Sequence, residues 1–358
     1  MPDWFWKKKA RAPEPQEAGV RGALFAEVLR DPSPEACTVL ADQLLEAGDA
    51  RGELINVELA LASRPSPPRR ERLSKRRAEL VRAHASAWWP WPFAAGTAAA
   101  RNPFTDGPRP AAALRTRHGF VVGVRCDASA FLPVAADVFA REPVTALELL
   151  AIDADGLDEL VEAPWLPRLR RLTLRGALGD AGFKALARAP GLRALEALNL
   201  PDHGIGVAGL SALGDCLPSL GSLGLTANPL GGPGAGALAR WRHLPNLRSL
   251  YLARAEINGA GLARLLDGRE LPAIEKLCLG GNPLGDAGVV ALCQHAGGLS
   301  ALRHLELDDV RMSDVGAEAL ARAPFARLTR LDARGNRHDP TPLLQRYPGA
   351  VRRLAPSR

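Results

Sequence analysis

The sixteen-residue phrase LCLGGNPLGDAGVVAL, residues 277 to 292, limits the possible folds more than any other feature of the chain, because it recurs. Copies begin at Leu198 (LNLPDHGIGVAGLSAL), Leu223 (LGLTANPLGGPGAGAL), Leu250 (LYLARAEINGAGLARL) and Leu305 (LELDDVRMSDVGAEAL). Aligned first positions fall at Val144, Leu169, Leu195, Leu220, Leu247, Ile274, Leu302 and Leu328, a period of roughly 25 to 28 residues. Met alone, the phrase has the order of a phosphate-binding turn: an apolar run, the cluster Gly280-Gly281-Asn282-Pro283-Leu284-Gly285, then a helix-like stretch. A P-loop needs Lys followed by Ser or Thr at its end; Asp286 and Ala287 stand there instead. A site occurs once and a structural element repeats, so the phrase reads as a repeat unit.

Each column of the alignment has a physical role. Leu220, Leu223 and Leu225, like Leu247, Leu250 and Leu252, follow the L-x-x-L-x-L spacing of a short strand whose alternate side chains enter a core. Further apolar residues stand at Ile205, Leu230, Ile257, Leu284 and Met312. Beyond them lies a glycine column, Gly182, Gly209, Gly234, Gly261, Gly288 and Gly316, each followed one helical turn later by a leucine. A glycine at every repeat allows the helix backbone to approach a neighbour closely.

On these residues, 143–340 resemble leucine-rich repeats, about eight of them, of the ribonuclease-inhibitor type. The resemblance implies an α/β solenoid, a curved parallel sheet inside and helices outside, with function on the concave strand face. Asn228, Asn282 and Asn336 match the position whose side-chain amide bonds the turn backbone of adjacent coils; Ile152, Ala177, His203, Ala255 and Val310 replace it elsewhere. The ladder is therefore expected to be partial, with main-chain groups or water completing the other turns.

Ahead of the repeats, 19–93 read as a small all-α module. Ser33 with Pro34 opens one helix that runs to Gly48, Asp49 caps the next, and PSPPRR precedes a fourth. Leu24, Leu29, Asp31, Pro32, Ala41, Asp42, Leu44, Glu46, Gly48, Asp49, Arg51, Gly52, Glu53, Ile55 and Glu58 make this module resemble the bacterial repeat-companion domain, although Gln43 stands where that family usually has tryptophan. The resemblance concerns architecture and implies no reaction. Asp49-Ala50-Arg51-Gly52-Glu53 reads as a helix start with an internal Arg–carboxylate pair, a binding site being the alternative. Residues 1–18 read as a disordered tail, with Trp4, Phe5 and Trp6 beside Lys7, Lys8 and Lys9 as a weak candidate for a membrane surface. The Ala, Pro and Gly of 94–113 suit a linker, 114–142 a capping half-repeat, and 341–358 a terminal cap with Thr341 as N-cap and Pro342 at the first helical position.

Of the residues, 47% are hydrophobic but only 5% aromatic, which calls for a core of leucine and alanine. The five cysteines, Cys37, Cys126, Cys216, Cys278 and Cys293, are odd in number and scattered, so neither a disulfide framework nor a metal site is expected, Cys293 and His295 supplying only two ligands. No run reaches the roughly 18 apolar residues of a membrane span and the N-terminus lacks the order of a secretory signal, so the expected compartment is the cytoplasm. The net charge of +7 raises nucleic-acid association through Arg69, Arg70, Arg72, Lys75, Arg76, Arg77 and Arg82. Glu71 and Glu79 interrupt that helix, which reads better as a solvated face, and the rings of AWWPWPF as folding back on their own bundle.

The exposed strand slots are the candidate docking surface. They start basic with Arg171 and Arg175, turn small and uncharged around Gly224, and end in mixed charge: Tyr251, Arg254, Lys276, His304, Glu306, Asp308, Asp309, Asp332 and Arg334. Tyr251 with Arg254 is the expected anchor pair, since Tyr and Arg are enriched at binding hot spots. His304, Glu306 and Asp308 share a face but have no nucleophile, and G-x-S-x-G is absent, so neither catalysis nor a cofactor is expected. The expectation is a non-catalytic scaffold for a protein partner. The alternative of a different kind is a regulator of a small GTPase donating Arg175 or Arg334, by analogy of fold alone.

Overall fold

The structure is a computed structural model and describes residues 20–94, 112–267 and 270–351. The tail at 1–18, most of the linker at 94–113 and the chain after 351 lie outside the described residues. Two compact units divide the chain.

The first unit holds four helices, α1 (Val20–Arg30), α2 (Pro34–Glu46), α3 (Ala50–Ala62) and α4 (Pro67–Trp88), together with residues 114–122, which include most of strand β1 (Ala113–Arg117), and 137–143. The caps expected from the sequence are present. Ser33 Oγ accepts from the Ala36 amide at 3.2 Å, Gly48 adopts φ +72°, and Asp49 accepts from the Arg51 amide at 2.9 Å. Val28, Cys37, Leu40, Ala41, Ile55 and Phe120 form its core. Trp89, Trp91 and Phe93 are buried; the Trp91 indole donates to Asp137 at 2.9 Å and stacks on Phe93, so these rings complete the unit's packing and offer no base-stacking platform.

Arg51 corrects the reading of an internal pair. Its guanidinium lies 4.4 Å over the Phe120 ring and donates to the Gly119 carbonyl and, at 2.5 Å, to the fully buried Glu142, which also accepts from the Val121 amide. Glu53 instead takes Arg76. Glu58 accepts from the Gly119 amide at 2.8 Å and from Arg77, so the carboxylates of α3 and Glu142 hold the left-handed turn at His118 and Gly119 in place.

The second unit is the repeat array. Its strands are the end of β2 (Phe120–Asp127), β3 (Ala146–Ile152), β4 (Arg171–Gly176), β5 (Ala197–Asn199), β6 (Ser222–Gly224), β7 (Ser249–Tyr251), β8 (Lys276–Cys278), β9 (His304–Glu306) and β10 (Arg330–Asp332). They pair in chain order and all in parallel. That order requires a crossover after every strand. Helices α5 (Ala128–Phe131) and α6 (Ala135–Arg141) follow β2, and α7 (Ala154–Glu162), α8 (Gly179–Arg188), α9 (Val207–Leu210), α10 (Gly231–Ala239), α11 (Gly259–Asp267), α12 (Gly285–Gln294) and α13 (Asp314–Arg322) follow the later strands in turn. The register sets Leu172, Leu198, Leu223, Leu250, Leu277, Leu305 and Leu331 side by side, none more than 1% exposed. At the C-terminal end the Tyr347 hydroxyl reaches the carbonyls of Leu320 and Ala323, and Val351 bridges to Leu331. The last helix, Thr341–Arg346, has Thr341 as its first residue where the cap was expected; Pro340 holds the cap position, and Asp339 just before it accepts from the Thr341 amide and hydroxyl.

The glycine column behaves as the alignment implies. A Cβ on Gly261 would fall 2.7 Å from the Gly232 Cα of the preceding helix, and one on Gly288 would fall 3.0 Å from the Gly259 Cα. The loop 280–285 is no phosphate cradle. The Gly281 and Gly285 amides already donate to the Asp308 and Val310 carbonyls, and the Asp308 carboxylate fills the space above Gly280 where an anion would have to sit.

The asparagine ladder bonds adjacent coils as expected, but at three turns without asparagine a neighbouring asparagine side chain takes the place expected for main-chain groups or water. Asn228, Asn282 and Asn336 each reach back to complete the preceding turn, the one that lacks an asparagine. Asn282 Oδ1 accepts from the Ala255 and Ile257 amides at 2.9 and 3.0 Å, while Nδ2 donates to the Leu252 and Leu279 carbonyls. Asn228 does the same for His203 and Ile205, and Asn336 for Val310 and Met312. His203 itself fills an asparagine slot: its Nε2–H donates to the Leu174 carbonyl at 2.8 Å, and Nδ1 is buried without a hydrogen-bond partner.

Burial holds the His203 imidazole below the usual histidine range, against an upward pull from Leu174 and Asp202, with Arg175 adding to the depression. Its folded pKa thus lies under its unfolded value. The stability this group contributes is full above about pH 6.5 and is lost as pH falls toward the depressed value. The melting temperature should fall between pH 7 and 5, and His203→Asn should flatten that fall. Superimposable pH profiles for the two proteins would contradict the assignment.

Candidate docking face

The face opposite the leucine rows is built from the alternate strand positions. Strand register arranges it in two rows. One runs Arg171, Ala197, Ser222, Ser249, Lys276, His304 and Arg330. The other runs Thr173, Asn199, Gly224, Tyr251, Cys278, Glu306 and Asp332.

At the N-terminal end Glu148 on β3, only 3% exposed, pairs with Arg125 and with Arg175 Nε at 3.0 Å. Sequence reasoning missed Glu148 and Arg125. A lone acid inside the apolar strand LELLAI was the available signal, because a buried carboxylate needs a cation. In the middle the Asn199 side chain lies over Gly224, leaving a low, uncharged floor.

The last four strands carry a linked set of charges. Lys276 Nζ sits 4.9 Å over the Tyr251 ring and 3.5 Å from Glu306. Cys278 lies between them in the register, its thiol pushed up by burial and by Glu306. Asp332, 3% exposed, takes both arms of Arg334 at 2.8 and 2.6 Å. Burial raises the Asp308 carboxyl, and Asp332 and Glu306 add to the rise while Arg334 opposes it.

Tyr251, Lys276, Glu306, Asp308, Asp332 and Arg334 are therefore neighbours, with His304 between Lys276 and Arg330 in the adjoining row. Arg254 and Asp309 lie beyond the strands. Both occupy the left-handed turn after a strand, at φ +54° and +52°, Arg254 with its stem over Gly281 and Asp309 beside Gly335. Lys276 packs over the Tyr251 ring, and Asp332 stands close enough to Asp308 to push its carboxyl up. Arg175 and Arg334, the candidate arginine donors to a GTPase, are each already paired with a buried carboxylate. No group of three or more His, Cys, Asp and Glu side chains able to hold a metal occurs among the described residues, and the five cysteines are free thiols.

The stacked parallel strands, the leucine rows and the asparagine ladder define the class: these coils are leucine-rich repeats. Residues 273–293 match the family described as leucine rich repeat, and the fold is that of a leucine-rich repeat solenoid. Solved structures similar to it include an internalin (inlF) from Listeria monocytogenes, with 18% identity over 62% of this chain and 70% of that one at a TM-score of 0.38. A chain of the Rad7 and Elc1 complex from yeast has 16% identity over 65% and 70% at a TM-score of 0.42. A Bacteroides fragilis protein has 18% identity over 62% and 78% at 0.36. No curated protein sequence matches the chain. No helix among the described residues is long and apolar enough to cross a membrane.

Proposed function

We propose that the chain is a non-catalytic scaffold that docks a protein partner across β7 to β10. The observation that carries this reading is the half-exposed set Tyr251, Lys276 and Glu306, an aromatic anchor with charges of both signs, beside the uncharged floor at Asn199 and Gly224. An amphipathic ring flanked by fixed charges at the edge of a flat patch is what interface hot spots are made of. Arg171, Arg175, Arg254 and Asp309 belong to the rim of such a footprint. The helical unit, which resembles a repeat-companion domain, has Asp49, Arg51, Glu53 and Glu58 of its motif committed to internal bonds, which supports a structural role for it. Five free thiols support a reducing compartment, the cytoplasm.

The test is affinity capture from native cytosol with the full chain, beside the double variant Tyr251→Ala/Lys276→Ala and the charge reversal Glu306→Lys/Asp308→Lys. Truncating two hot-spot side chains costs on the order of 2 kcal/mol or more, about a thirtyfold loss of affinity. The captured partner should be lost from both variants while their melting temperatures stay near that of the parent. Undiminished capture by both would remove this face from the account.

A further inference from the structure

A second polar site adjoins the Tyr251 cluster, at the edge where the chain enters β4 to β7. There the sheet borders a hollow of about 520 Å³. The volume is ample for a small ligand. Its origin is a short coil. The repeat from Leu195 to Leu220 spans 25 residues where the next, from Leu220 to Leu247, spans 27. Its helix α9 is a single turn, and the chain reaches β6 through left-handed residues at Gly214 and Leu217, without the 3-10 turn that precedes β4, β5 and β7.

Arg171 on β4 and Arg248 just before β7 both line this hollow, together with Ser222, Ser249 and Asn246. Arg171 and Ser249 occupy the same row three strands apart, about 14 Å at the backbone. Among the described residues, neither guanidinium has an ion-pair or hydrogen-bonded partner, and neither do the hydroxyls of Ser222 and Ser249. This contrasts with Arg125, Arg175 and Arg334 on the same sheet, all of which are paired with carboxylates. Glu196 also lines the hollow, but Arg170 lies 3.9 Å from it and offsets its charge. Two uncommitted guanidiniums in a hollow also lined by hydroxyl and amide donors suit a tetrahedral oxyanion, which accepts from both kinds of group at once.

We infer that this hollow binds a phosphate monoester, through Arg171 and Arg248 with Ser222 and Ser249 beneath it. The ester's source is either a free small molecule or a phosphorylated side chain, and the test separates them. The full chain is titrated at fixed ionic strength with inorganic phosphate, then with glycerol 3-phosphate, then with a phosphoserine peptide and its unphosphorylated form. Saturable binding is expected, with about a tenfold loss for each of Arg171→Gln and Arg248→Gln. Both arginines are exposed, so the fold should tolerate the changes. A control pair on the helical side, Arg188→Gln/Arg264→Gln, should leave affinity unchanged. Tighter binding of glycerol 3-phosphate assigns the site to a free ester, and tighter binding of the phosphopeptide assigns it to a modified partner. Three results would overturn the inference: no saturation with any phosphate, equal affinity for the unphosphorylated peptide, or an equal loss in the control pair.

Discussion

Asn282→Ala should lower the free energy of unfolding by about 3 to 4 kcal/mol, far more than any change on the exposed face. The side chain is 1% exposed and makes four hydrogen bonds, two from the amides of Ala255 and Ile257 and two to the carbonyls of Leu252 and Leu279. Alanine fits the space but leaves those buried backbone groups without that partner, at roughly 1 kcal/mol apiece. Asn336→Ala should cost less, because its bonds lie nearer solvent at the last coil. Denaturant titration of the two variants measures both. A loss under about 1 kcal/mol for Asn282→Ala would mean that the amide does not hold the turns together.

The second large effect is in the helical unit. Glu142→Gln should destabilise the protein by about 3 to 5 kcal/mol, since it leaves the Arg51 charge, nearly as buried, without its counter-ion. The same principle predicts a recovery: Arg51→Met/Glu142→Leu, which removes both charges and fills the space, should restore most of that loss. A thermal unfolding comparison of the three proteins decides it. If the double variant is as unstable as Glu142→Gln, the cost comes from something other than the stranded guanidinium.

These two sites mark where the sequence was legible and where it was not. Asn282 and its copies were visible as a column because the repeat places them in register, and so were the leucine rows and the glycines at 261 and 288. What the column could not show was direction. That Asn282 serves the turn at Ala255 follows from how coils stack, and nothing in either residue announces it. The acidic caps were hidden for the same reason: Asp286 accepts from the Ser313 and Gly316 amides of the following coil, and Asp180 from that of Gly206.

Arg51 shows the other limit. Its motif neighbours Asp49 and Glu53 made a local pair the natural reading, but its partner is 91 residues away, and only the fold brings Glu142 beneath it. On the candidate face, the composition of the late strands was readable, but the pairing within it was not. Strand alternation assigned Arg254 and Asp309 to the same surface as Tyr251 and Glu306. A left-handed turn follows β7 and β9, and it sets both residues outside the strand. The short coil before Leu220 was present in the alignment as a missing pair of residues, a signal whose consequence, the hollow beside Arg248, needs the neighbouring strands to be seen.

The account rests on coils that complete one another across the stack, and hydrogen exchange on Asn282→Ala tests that most directly. The amides of Ala255 and Ile257, in the preceding coil, should exchange much faster than in the parent, while β4 and α8, three coils away, keep their protection. Faster exchange confined to the coil that contains residue 282, with Ala255 and Ile257 unchanged, would contradict it.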